Sequence, residues 1–105
     1  EYDVSLFVHK KSKSTLDSSL ESLKTALPIL RALTQWDTEA IHTALFGLVE
    51  QKAVKNSVIL WPVRVAVSGK LTTPGGAVEI CAILGKDETL KRIDFGVHKL
   101  EKNRF

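Results

Sequence analysis

VILWPVRVAV, residues 58–67, is the stretch on which the fold of this chain turns. By propensity it is a strand, since Val, Ile and Trp dominate it and these residues fill pleated, half-buried surfaces. Pro62 stands in its middle, however, and a proline cannot donate to the ladder of a central strand. The segments on both sides carry helical periodicity. We therefore read residues 58–67 as helix and expect an all-α chain folded as a compact helical bundle.

Downstream, Thr73-Pro74-Gly75-Gly76 stands directly before the apolar run 77–84, which Gly85 closes. This pattern predicts a helix with Thr73 as N-cap, Pro74 at the first helical position and Gly85 in a left-handed conformation after the last turn. Two glycines in its first turn would leave backbone N–H groups uncovered at the end of the helix that attracts negative charge. A last helix follows, with Asp87 as its cap and Leu90, Ile93, Val97 and Leu100 as its apolar seam. Gly96 weakens it by up to ~1 kcal/mol relative to alanine, and Lys99 and Lys102 suit its C-terminal turn.

Upstream, the helical pattern begins at Ser18, where Ser18 and Glu21 form a capping box and Leu20, Leu23, Leu27 and Leu30 share one face. Pro28 interrupts that face at a cost on the order of 3 kcal/mol, which predicts a kink or a restart. A second helix is expected after Trp36, capped by Asp37, with Ile41, Ala44, Leu45, Leu48 and Val49 as its stripe and an end near Lys52. The N-terminal residues Tyr2, Leu6, Phe7 and Val8 read as a docking segment. They run into His9-Lys10-Lys11-Ser12-Lys13, a solvated boundary stretch with at most a weak electrostatic contribution to polyanion binding.

With 105 residues, 44% of them hydrophobic, the chain can bury a modest core without staples. Fifteen Lys and Arg against twelve Asp and Glu give a charge of +3, a mild bias compatible with a polyanionic partner. The single cysteine, Cys81, excludes an internal disulfide, fits a reducing cytoplasm and reads as a small core thiol. No apolar run approaches the roughly 20 residues of a membrane span, and no signal segment is recognisable. The chain starts at Glu1 and contains no methionine, so we expect it to be a piece of a longer product.

Catalytic chemistry is hard to find in these residues. Gly69-Lys70 imitates the end of a phosphate-binding loop, but Leu71 fills the Ser/Thr position and Arg64 the first glycine position. Glu39, Glu79 and Glu88 are explicable as helix-surface or first-turn acids. His42 lies beside an apolar stripe and reads as structural, and with His9 and His98 remote in sequence no metal-ligand spacing exists. A binding surface is better supported. Arg64 supplies a planar donor fork suited to a phosphate or a base edge, and Ser68-Gly69-Lys70 adds a hydroxyl, backbone and charge. If the helix ending at Gly69 and the one after Pro74 are neighbours, Arg64 faces a cleft bordered by the Thr-Pro-Gly-Gly turn, a setting in which single-stranded bases are recognised. The plain alternative for Arg64 is a surface ion pair with Glu79 or another acid. Trp61 is read as a core anchor, with base stacking as its other reading.

The string WPVRVAVSG, residues 61–69, then TPGG, then ILGKDETLKRI, residues 83–93, resembles the C-terminal anticodon-binding region of bacterial-type glutamyl-tRNA synthetases. Trp36 and Asp37 before a helix fit the same resemblance, which is weak before about Leu16. It implies an "α-helix cage" domain over residues 16–105, preceded by a boundary segment, 1–15, from an upstream helical domain. It also implies that the chain holds the anticodon loop of tRNA(Glu) and reads its middle and third bases. By motif match the binding role falls on Arg64, Thr73, Pro74 and Gly75, and Ser68, Gly69, Lys70 and Gly76 complete the expected anticodon-binding set. Gly76 and Ala77 depart from relatives that place a bulky apolar residue after Thr-Pro-Gly. Lys10 to Ser14 imitate the KMSKS loop of class I synthetases, but the HIGH motif and the strand–helix alternation that accompany that loop are absent. The resemblance therefore implies no catalytic residue, metal or cofactor in this chain, with ATP and magnesium held in the catalytic domain of a parent glutamate–tRNA ligase. A monomeric, cytoplasmic protein without a membrane partner is expected. The rival reading is a helical protein-interaction module with no role in RNA binding.

Overall fold

The computed structural model describes residues 2–9, 14–70, 73 and 75–103. A short 3-10 turn, Val4–Phe7, precedes five helices: α1 (Leu16–Arg31), α2 (Thr38–Lys52), α3 (Asn56–Ser68), α4 (Ala77–Leu84) and α5 (Lys86–Lys102). The described residues contain no strand; their one β-type pairing is the isolated bridge between His9 and Ser14. The all-α bundle expected from the sequence is the fold observed.

Helix α3 is the centre of the bundle and contacts each of the other four. Ile59, Pro62, Val63, Val65, Ala66 and Val67 are all buried, so the run of β-branched residues that mimics a strand belongs to a helix apolar on nearly every side. Tertiary burial overrides propensity here. Pro62 would ordinarily orphan the carbonyl of Val58, its i−4 neighbour. The hydroxyl of Ser22, a buried residue of α1, donates to that carbonyl at 2.9 Å.

Helix α1 starts earlier than its Ser18–Glu21 signal suggested. Thr15 is the N-cap: Thr15 Oγ1 accepts the Ser18 N–H at 3.0 Å while Ser18 Oγ accepts the Thr15 N–H at 2.9 Å. The two short hydroxyl side chains close the box reciprocally, and Glu21 is left to pair with Lys52 across to α2 at 2.9 Å. Pro28 does not restart the helix, which continues to Arg31 as one element. Pro28 and Lys24 are both exposed, so water can serve the carbonyl that the proline cannot. Leu20, Leu23 and Leu30 bury the expected face.

Asp37 caps α2 as expected, accepting the Ala40 N–H at 2.8 Å, and this bond holds its carboxyl below the usual carboxylate range. His42 is exposed and stacks on Phe46. Two expectations at the other helix starts are corrected. Helix α4 begins at Ala77 with Gly76 as N-cap, so Thr73 is not its cap and the glycines precede its first turn. Asp87 lies inside the first turn of α5, whose cap position is Gly85.

Gly85 joins α4 to α5 at φ +88, a conformation that a side chain would strain. Three donors converge near it on the carbonyl of Cys81: Trp36 Nε1 at 2.9 Å, Thr89 Oγ1 at 3.2 Å and the Gly85 N–H at 3.1 Å. Lys86 donates to the Leu33 carbonyl beyond the end of α1. Cys81 is buried, and burial pushes its thiol up to about 12, with the Thr89 hydroxyl opposing the shift. Gly96 sits where α5 crosses two neighbours: a Cβ there would lie 3.1 Å from Leu23 Cδ1 and 3.3 Å from Ala66 Cβ. The glycine that weakens α5 as a helix is what lets it approach α1 and α3.

Candidate nucleic-acid interface

Of the residues expected to bind, Arg64 and Gly76 line one hollow and Ser68 and Gly69 another, while Lys70, Thr73 and Gly75 line neither. Asn56, Ser57, Leu60, Trp61 and Arg64 of α3, with Gly76 and Ala77 at the start of α4, line a groove of about 270 Å³. Arg64 and the glycine turn, twelve residues apart in sequence, therefore share one concavity. Asn56 and Ser57 were not singled out from sequence, because an Asn-Ser pair at a helix start carries no binding signal of its own.

Each side of this groove has a local cause. Gly75 and Gly76 do not have positive φ; what the missing side chain of Gly76 provides is a low wall. A Cβ on Gly76 would come within 2.9 Å of Glu79 Oε1, the oxygen that accepts the Gly76 N–H at 3.0 Å. That acid, at the third position of α4, already serves the N-terminal end of the helix and opposes its dipole. The uncovered amides expected at this turn are thus partly engaged, and a phosphate gains less there than the sequence implied. Thr73 is half-buried and its hydroxyl donates to the Gly75 carbonyl, which closes the turn. Pro74 and the 10–13 lysine run lie outside the described residues.

Arg64 is half-buried, with its guanidinium carbon 4.8 Å from the centre of the Trp61 ring. Trp61 is itself half-buried: its Nε1 donates to the Leu6 carbonyl at 2.9 Å and His9 stacks on the indole at 4.1 Å. The anchor reading of Trp61 accounts for these contacts.

Ser68 and Gly69 face the second hollow, of about 620 Å³, with Tyr2, Ala66, Val67 and residues of α5 from Glu88 to His98. Ser68 Oγ donates to the Arg64 carbonyl at 2.6 Å and accepts the Lys70 N–H at 3.2 Å, so its hydroxyl is used to finish α3. Gly69 is left-handed at φ +67, and a Cβ there would stand 3.1 Å from Tyr2 Cδ2. Lys70 is exposed. Arg92 spans the hollow floor, donating to the Val67 carbonyl at 2.6 Å and to Glu88 at 2.7 Å. The bond from Arg92 holds the Glu88 carboxyl below its usual range.

Among the described residues no cluster of His, Cys, Asp or Glu could hold a metal ion, and no helix is long and apolar enough to cross a membrane. Of the large exposed hydrophobics among them, Val8 follows the 3-10 turn, Ile83 lies on α4 and Phe95 on α5, so they form no common stripe along a helix. Fold and groove together define a helical binding domain that offers an arginine beside a wall poor in side chains.

The sequence profile of the anticodon binding domain family matches residues 1–97, and the chain belongs to that family. It is 54% identical over 101 residues to the glutamate–tRNA ligase of Clostridium tetani (strain Massachusetts / E88), covering 96% of this chain and 21% of that protein. The glutamate–tRNA ligases of Clostridium botulinum (strain Loch Maree / Type A3) and Clostridium kluyveri are 52% and 48% identical over the same lengths and shares. The chain spans about a fifth of the length of the curated relatives it matches.

Proposed function

We propose that this chain is the part of a glutamate–tRNA ligase that reads the middle and third anticodon bases of tRNA(Glu). The observation that carries the proposal is that Arg64 and Gly76 line one groove in a member of the anticodon binding domain family. The guanidinium fork donates to a base edge or a phosphate, while the glycine wall admits a flat ring close to backbone. Leu60 supplies an apolar contact, and the Trp61 indole lies against Arg64. Because Glu79 already serves the α4 start, discrimination rests on base edges and shape more than on phosphate charge.

In this reading Thr73, Pro74 and Gly75 lie against a base through backbone and hydroxyl contacts, and Ser68, Gly69 and Lys70 meet the strand flanking it. Residues 1–15 lead in from a preceding helical domain that reads the first base, and residues 16–105 form the anticodon-binding unit. ATP and magnesium act in the ligase's catalytic domain; this chain alone transfers no glutamate. The protein is a cytoplasmic monomer.

Replacing Arg64 with alanine tests the reading. A bidentate contact to a base predicts a loss of ~1–3 kcal/mol in affinity for an RNA hairpin carrying a glutamate anticodon, measured by fluorescence anisotropy. Unchanged affinity in a variant with a native circular dichroism melt would remove Arg64 from the site.

A further inference from the structure

We infer that Trp61 is a positioning residue for Arg64, and that the N-terminal segment sets its orientation. The identity of the ligand rests on the proposed anticodon reading; the arrangement of the two side chains does not. Residues 61 and 64 lie on one face of α3 and both line the groove. The Arg64 guanidinium carbon stands 4.8 Å from the indole centroid, within the range of a cation–π contact.

The indole is not free to turn. Its Nε1–H is bonded to the Leu6 carbonyl at 2.9 Å, and the His9 ring stacks on it at 4.1 Å with 19° between planes. His9 is in turn fixed by a reciprocal pair of backbone bonds with Ser14, each 3.0 Å. Residues 6, 9 and 14 therefore hold a flat platform, and the arginine that faces the groove is laid on it. Occupied in this way, the indole acts through Arg64 and is not the surface on which a base stacks.

The consequence is preorganisation. A long arginine side chain loses rotamer freedom when it binds, and one already held on a ring has less to lose. Trp61→Leu removes the ring and keeps an apolar side chain; Trp61→Phe keeps a ring face and removes the N–H. The test combines two readouts on these variants, each made with Arg64 and with Arg64→Ala. One is the heteronuclear NOE of the Arg64 Nε–Hε group in the free protein. The other is affinity for the glutamate-anticodon hairpin.

The Arg64 NOE is expected to fall in Trp61→Leu and to be largely kept in Trp61→Phe. Binding should weaken about 2- to 30-fold in Trp61→Leu, the span of a cation–π contact, and should not weaken further when residue 64 is already alanine. An unchanged NOE, or an equal loss of affinity in both backgrounds, would overturn the inference. If the unmodified protein binds no hairpin, the anticodon reading fails, and the NOE comparison alone decides the positioning role. Should Trp61→Leu not fold, the unmodified protein still decides it. Arg64 Hδ resonances shifted upfield by the indole ring current support the contact, and random-coil positions refute it.

Discussion

Removing the hydroxyl of Ser22 should destabilise the bundle far more than an ordinary Ser→Ala change, because that hydroxyl replaces the donor that Pro62 lacks. Ser22 is 2% exposed, and its Oγ lies 2.9 Å from the Val58 carbonyl, the group that the N–H of residue 62 would serve in an unbroken helix. Ser22→Ala removes that hydrogen bond and leaves the carbonyl of half-buried Val58 without the donor that replaces the missing helical one, for a total of ~1–3 kcal/mol. One missing oxygen makes a negligible cavity, so nearly all of the loss is polar. The assay is urea unfolding, with the loss read from the midpoint at constant slope. In a Pro62→Ala background the new N–H at residue 62 serves Val58, and Ser22→Ala should cost about half as much or less. An equal loss in both backgrounds would refute the claim that Ser22 compensates for the proline.

Gly96→Ala is expected to lower stability by about 1 kcal/mol, because the ~1 kcal/mol helix-propensity gain is outweighed by overpacking against Leu23 and Ala66. Gly47→Ala in α2, where an added Cβ meets nothing within 4 Å, should raise stability by up to ~1 kcal/mol; equal effects of the two in urea melts would contradict the packing account. Thr89→Val removes a buried donor to the Cys81 carbonyl and should cost about 1 kcal/mol, measured the same way. Cys81, with its thiol pushed up to about 12, should resist a disulfide reagent at pH 8 in the folded protein and react once unfolded in urea. Glu21 and Glu88 are held below the usual carboxylate range by hydrogen bonds from Lys52 and Arg92, and Asp3 and Asp37 by backbone bonds from Ser5 and Ala40. Folded values below unfolded ones stabilise above the unfolded pKa, about 4, and that stabilisation is lost as pH falls through the lower folded values. The urea midpoint should therefore drop below about pH 4; a rise on acidification would contradict the assignment.

The helices were legible because their apolar residues recur at helical spacing, and the seam of Ile93, Val97 and Leu100 is buried as its period demands. Residues 58–67 were legible only through Pro62 and the helical segments on both sides, since the Val, Ile and Trp that dominate the stretch favour a strand. The helix starts were less so, because neighbouring signals compete. Thr15 with Ser18 outcompetes Ser18 with Glu21, and Gly76 with Glu79 displaces Thr73. What the sequence could not reveal is a partner that compensates across the fold. Ser22 serves a carbonyl 36 residues away, and His9 steadies an indole that only the folded chain brings beside it.

The candidate site was legible in part for the same reason. Arg64 and Gly76 carry distinctive chemistry and do meet in one groove, whereas Ser68 and Gly69 finish a helix beside a different hollow. The Leu-Gly-Lys motif proves architectural: Gly85 turns the chain and Lys86 ties it to Leu33.

The most direct test of the anticodon reading is a titration of isotopically labelled protein with two RNA hairpins, one carrying a glutamate anticodon and one with its middle base changed, followed by backbone amide shifts. The account predicts shifts at Arg64, Gly76 and the other residues of their groove, and at Gly75 beside it, weakened by the base change. Shifts that are equal for both hairpins, or that avoid this groove, would contradict it.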